Sequence, residues 1–336
     1  MIIMYVFLLC IFTMHMNTEQ KNTEETQIYL APLQGFTDFI YRKCYHLVFP
    51  GIDAFFIPYI SVQNESILNK YKREILAENN PQDRVVPQVL VKNANEILLL
   101  AELVKDTGYE EINLNLGCPY PMVTNRRMGA GMLPHPEILE EILTVFFEKT
   151  DLKLSVKLRA GLTSPKEIKS VIPVLNRFPL TEVILHSRIA KQLYSGTINY
   201  EAFDVVKSEL NHNLIYNGDI TTVGDFREIR IKFPGISGIM MGRGVLMNPF
   251  LPAEIKGKCF TATEKKEKLI EFHQLMVDDY AGIMDNEGNV LNKMKQFWSY
   301  FISNFPGSQK YYKQLKKARS LKVYYKISGN ILDSMH

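Results

Sequence analysis

Four cysteines are all the chain has, at Cys10, Cys44, Cys118 and Cys259, and no two stand at the CxxC spacing of a zinc ribbon or a redox pair. A disulfide framework and a structural zinc site are therefore excluded, and no metal site is expected. Nor does any apolar run reach the ~20 residues that a membrane-spanning helix needs. The most apolar stretch, MIIMYVFLLCIFTMHM at residues 1–16, also lacks the basic start and small-residue cleavage site of a secretory signal. It reads either as extra sequence before a true start at Met14 or Met16, or as a membrane anchor. The first reading is preferred, which sets residues 1–26 apart as a leader; a cytoplasmic protein with no stable membrane association is expected, and a monomer.

Acidic residues are missing from one long segment. Between 288 and 332 there is no Asp or Glu, yet there are nine cations: Lys293, Lys295, Lys310, Lys313, Lys316, Lys317, Arg319, Lys322 and Lys326. They alternate with Trp298, Tyr300, Tyr311, Tyr312, Tyr324 and Tyr325. Such a block is either a solvated face or a surface for a polyanion, and its length and aromatic content favour nucleic acid. The whole chain carries only +3, so this reading rests on local rather than net charge.

What the chain does have is 336 residues, 46% of them hydrophobic and 22% charged, enough for a barrel-sized domain of about 250 residues and a smaller one. Short β-rich runs near 27–31, 54–60, 84–90, 111–116, 153–158, 181–186, 213–217 and 237–241 alternate with helical patterns. Eight βα units predict an α/β fold, a closed TIM (β/α)8 barrel over residues 27–254. Asn93 is placed to cap one helix, and Ser164, Pro165 and Glu167 to start another. After NPFLP at 248–252 the βα rhythm stops. A small helical domain is expected over 255–336, with helices at 264–284, 289–304 and 308–327 separated first by the run DNEGN.

In such a barrel the working groups gather at the C-terminal ends of the strands. There the sequence places APLQGFTD, PQVL, NLNLGCPYP, VKLRAG, LHSR, NGD and MGRG, in that order. Asn217-Gly218-Asp219 and Gly242-Arg243-Gly244 follow the last two strands, where glycine loops and helix starts commonly bind phosphate. Lys157 would be costly at a strand end unless it faced an anion or an electron-rich group, such as a flavin ring. His186 could hydrogen-bond the same group, and Gln88 offers both a donor and an acceptor. Cys118, in a Gly-Cys-Pro turn beside Asn113, Asn115 and the glycines 129 and 131, is a buried structural cysteine or a general acid.

Taken together these motifs resemble the dihydrouridine synthase family. APLQGFTDFIYR (31–42) is similar to its opening motif, NLGCPYPMV (115–123) to its catalytic loop and VKLRAG (156–161) to its flavin-lysine strand. HSRIAKQLYSG (186–196), NGD (217–219) and MGRGVLMNPF (241–250) complete the series, with a weaker echo in MKQFWSYF. Two departures stand out: Leu33 where many members carry Met, and Pro121 where many carry Lys, a cation that Arg126 or Arg127 could replace.

The resemblance implies that Pro32, Leu33, Gln34, Gln88, Lys157, His186, Asn217, Gly218, Asp219, Gly242 and Arg243 hold FMN. It implies tRNA as substrate, with Asn115, Arg159, Arg188, Tyr194, Lys295, Lys313 and Lys317 handling it. The reaction implied passes hydride from NADPH to FMN and on to C6 of uracil, while Cys118 protonates C5. Two other readings stay open: an FMN-dependent reductase of a free small molecule, similar to dihydroorotate dehydrogenase, and a non-catalytic RNA-binding protein.

Overall fold

The computed structural model describes residues 26–63 and 66–334. Of the leader expected over 1–26, residues 1–25 lie outside the described residues. Eight parallel strands close into a barrel: β1 (Gln27–Leu30), β2 (Ala54–Ile60), β3 (Val85–Val89), β4 (Glu111–Leu116), β5 (Lys153–Gly161), β6 (Val183–Ile189), β7 (Leu214–Asn217) and β8 (Gly238–Met241). Each pairs with its sequence neighbours, and β1 closes the ring against β8 through Gln27↔Gly238 to Leu30↔Met241. Alternation sorts the side chains. Tyr29, Ala54, Phe56, Val86, Ile184, Ile215 and Met240 fill the barrel, while Ile28, Leu30, Phe55 and Ile57 pack outward on the helices.

A polar plug closes the N-terminal face. Arg84 reaches Glu111 at 3.0 Å and Glu182 at 3.3 Å, and the Tyr29 hydroxyl donates to Glu182 at 2.8 Å. With that end sealed, the opposite mouth is left to open.

The helix starts obey local chemistry. The Asn93 side chain accepts from the Glu96 N–H to begin Ala94–Asp106, and Ser164 with Glu167 forms a capping box ahead of Ile168–Leu175. Two strands run further than the sequence suggests: β5 continues to Gly161 and β6 to Ile189, pairing across a register shift beyond Arg159.

The C-terminal region is helical, with Ala262–Ile283, Glu287–Phe301, Gln309–Leu315 and Leu321–Asp333. The expectation of one helix over 308–327 is corrected. The chain breaks between 316 and 320, and the Ser320 side chain caps a new helix at the Val323 N–H. Likewise Asn286, inside DNEGN, already caps the second helix, so that run is as much helix start as turn. These helices share the barrel's core: Phe272 meets the rings of Phe49 at 5.1 Å, Tyr41 at 5.6 Å and Phe297 at 5.7 Å. Among the described residues no helix is long and apolar enough to cross a membrane.

Candidate active site at the barrel mouth

The C-terminal ends of the strands surround a cavity of about 780 Å³. All eleven residues expected to hold a cofactor line it, as do Cys118, Asn115, Arg159, Arg188 and Tyr194. Lys295, Lys313 and Lys317 do not line it; Lys295 and Lys313 lie on the C-terminal helices and Lys317 in the break between the last two.

One wall is an amide ladder. Asn113 donates to Ser155 at 3.0 Å, Gln88 donates to Asn113 at 2.8 Å, and Asn115 donates to the Gln88 oxygen at 2.6 Å. The Asn115 oxygen in turn accepts the N–H groups of Gly117 and Cys118, each at 2.9 Å. Asn115 thus sets the turn that carries Cys118. Gly129 completes that turn at φ +54°, where any Cβ would come within 2.9 Å of the Cys118 Cβ. Glycine alone permits this approach without strain.

Cys118 is 7% exposed, and burial pushes its thiol up. The Tyr120 N–H, the Tyr59 hydroxyl and the nearby Arg159 offset only part of that rise. At neutral pH the sulfur therefore keeps its proton, the state a general acid needs.

Lys157 faces the same cavity. Among the described residues its ammonium has no ion pair or hydrogen bond, and burial, with the Arg159 charge added, brings it down to about 7. His186 is held well below its ordinary value, first by burial and then by Arg159, Lys157, Arg188 and Arg243. It is neutral at pH 7. Since arginine only donates, the 3.4 Å contact from Arg188 makes Nε2 the acceptor and leaves the proton on Nδ1.

The opposite wall is a chain of charges. Asp219, at φ +35°, bridges Arg188 at 2.5 Å and Arg243 at 2.8 Å. Burial opposes ionisation of its carboxyl, but Arg188 and then Arg243 outweigh burial and hold it below its usual range. Arg188 also donates to the carbonyls of Gly196 at 2.6 Å and Ser195 at 3.2 Å, so its guanidinium fastens the 190–197 loop. From that loop Tyr194 stands between two cations, Arg159 at 5.5 Å and Arg243 at 4.9 Å. Arg159 is anchored by the Gly117 and Ile189 carbonyls. The five-residue helix Arg243–Met247 starts at the cavity with no side chain capping it.

Of the nine C-terminal cations, two are spent on packing. Lys293 pairs with Asp38 at 2.6 Å and donates to the Gly35 carbonyl, and Lys295 donates to the Ala318 carbonyl. The other seven, Lys313 and Lys317 among them, are exposed, and none forms a salt bridge among the described residues. Sequence reasoning missed Tyr59 and Tyr120, both on the cavity. The signal for Tyr59 was present: Pro58 inside a strand marks a bulge.

A closed parallel barrel with a protonated thiol, an unpaired lysine and glycine loops at one mouth is the layout of a (β/α)8-barrel enzyme. The family model described as dihydrouridine synthase matches residues 29–333, and the chain belongs to that family. It is 30% identical over 263 residues to a probable tRNA-dihydrouridine synthase of Helicobacter pylori J99, covering 76% of this chain and 78% of the relative. To the tRNA-dihydrouridine(20/20a) synthase of Vibrio cholerae it is 24% identical over 315 residues, 88% and 92% of the two chains. Among solved structures, a 2-naphthoyl-CoA reductase complex shares the fold, with a TM-score of 0.52 at 11% identity over 68% of this chain and 49% of that one.

Proposed function

We propose that this chain reduces the C5–C6 double bond of uridine in tRNA to 5,6-dihydrouridine, using FMN and NADPH, with Cys118 as the acid. The observation that carries this reading is the meeting of a protonated thiol and an unpaired, readily neutralised Lys157 in one cavity. The residues present fit FMN. An ammonium without a partner suits an electron-rich ring, Gln88 offers amide groups beside it, and Gly218 and Gly242 leave room where a Cβ would meet Ile198 at 2.7 Å or Leu33 at 3.3 Å. Pro32, Leu33, Gln34, His186, Asn217, Asp219 and Arg243 would complete the cradle.

FMN, when bound, supplies hydride chemistry between NADPH and uracil C6. The protein's own part is to deliver a proton to C5 from the Cys118 Sγ, kept available by burial. Arg159 and Tyr194 stand at the cavity to steady an extruded base. Extrusion from a folded RNA costs a few kcal/mol. The exposed cations of the 255–336 region, Lys313 and Lys317 included, would offset that cost through phosphate contacts. A reductase of a free small molecule has no use for that unpaired basic face.

The test is dihydrouridine mapping in tRNA from cells lacking the gene, with complementation by the intact chain. Loss of dihydrouridine at defined positions, restored by the gene, is expected. An unchanged map would refute the substrate assignment.

A further inference from the structure

Strand β2 loses register against β3 just before the mouth: Ile57 faces Pro87, but Ile60 faces Val89. Two residues, Pro58 and Tyr59, therefore oppose the single Gln88, which is a β-bulge. Upstream, Ala54 and Phe56 point into the barrel. Strict alternation would then send Pro58 and Ile60 inward and leave Tyr59 among the outer helices. The bulge reverses this. Ile60 joins the outer core beside Ile57, and Tyr59 lines the cavity. Proline suits the position because it has no N–H to lose from the ladder.

The re-aimed ring lands on one group in particular. Tyr59 packs against the cluster of Leu90, Cys118, Val123 and Met128, and this packing puts its hydroxyl within electrostatic reach of the Cys118 thiol. The Tyr120 N–H acts on the same sulfur, so two polar hydrogens bear on its charge state. A buried thiol that gives up its proton leaves a thiolate that must be stabilised at once and then reprotonated.

We propose that Tyr59 is the positioning residue of the acid, aiming the Cys118 S–H at the substrate and returning a proton to sulfur after transfer. This rests on the reading of Cys118 as proton donor. The S–H bond breaks as the proton goes to C5 and its electron pair stays on sulfur. The Tyr59 O–H proton then passes to sulfur while water at the mouth replaces it on the phenol oxygen. One solvent proton is consumed. Tyr59 can act from both sides because it is half-buried, with its edge open to the cavity.

The test uses the full-length, FMN-loaded protein and its Tyr59→Phe variant, which keeps the ring and its packing. Alkylation of the Cys118 peptide by iodoacetamide across pH, read by mass spectrometry, should show a midpoint moved to higher pH, because a donor to the thiolate is gone. Flavin reoxidation by tRNA should slow about tenfold or more, the scale of a hydrogen bond to a charged atom, while reduction by NADPH stays unchanged. An unshifted alkylation midpoint, or reoxidation at the wild-type rate, overturns the proposal. Cys118→Ala run alongside separates the two ideas. Normal reoxidation there sinks the acid itself, whereas a block there with normal Tyr59→Phe sinks only the relay.

Discussion

Replacing Lys157 by Met should stabilise the flavin-free protein, and the gain should depend on pH in a definite direction. In the unfolded chain the ammonium titrates near its ordinary 10.5, but in the fold burial and Arg159 bring it down to about 7. Between those two values the unfolded chain binds a proton that the folded chain does not, so this group makes stability rise with pH. Each pH unit is worth at most about 1.36 kcal/mol. From pH 7 to 9 the wild type should thus recover up to about 2.7 kcal/mol, and water in the open cavity reduces this to about 1–2 kcal/mol. Below about pH 7 the cost is constant. The assay is urea unfolding of flavin-free wild type and Lys157→Met at pH 6, 7, 8 and 9. The variant should lead at pH 6 and 7, with the gap narrowed by about 1–2 kcal/mol at pH 9, and it should bind FMN more weakly. A gap that does not change with pH would refute the argument, because Lys157 would then not be carrying a buried-charge cost.

Four further outcomes are expected. Cys118→Ala should still be reduced by NADPH at a near-normal rate but should reoxidise on tRNA about 10²–10⁴-fold more slowly by stopped-flow absorbance; a block already at the NADPH step would give the thiol another role. Arg243→Ala should lose FMN during purification while Lys166→Ala, at an exposed position, should not; equal flavin content counts against the phosphate loop. The double variant Lys313→Glu/Lys317→Glu should weaken tRNA binding and flatten its salt dependence, each lost phosphate contact lowering the log–log slope by about 0.9, and a salt-insensitive affinity would contradict the electrostatic reading. Gly129→Ala should lower the melting temperature and slow tRNA-dependent reoxidation together, since its Cβ would press on Cys118 in a backbone conformation that favours glycine.

Much of the barrel was legible because a parallel strand buried on both faces is an apolar run with sharp ends, as in β2 and β8. The cavity residues were legible because the fold sends them all to one end. Other features depended on distances that a linear pattern does not contain. The pairing of Asp219 with both Arg188 and Arg243 joins residues 24 and 31 positions apart. The commitment of Lys293 to Asp38 and Gly35 spans the whole barrel sequence. Residues 308–327 contain no Gly or Pro, so nothing in the sequence marks the break that Ser320 makes. Tyr59 was hidden by parity, since one inserted residue sends its side chain to the opposite face of the strand.

The contacts of the C-terminal helices bear on how such a protein can be rebuilt or inherited. Lys293 clasps the carbonyl of Gly35 and the carboxylate of Asp38, and Tyr300 sets its ring edge-on to Phe36 at 5.1 Å. Those partners belong to the loop after β1 that also brings Leu33 and Gln34 to the cavity. The helical region that carries the basic face therefore also acts, through Glu287–Phe301, as scaffolding for the wall of the cavity. Exchanging the whole region would pull that scaffolding away, so its basic face is more readily altered through exposed side chains on Gln309–Leu315 and Leu321–Asp333 than by swapping the region as a module.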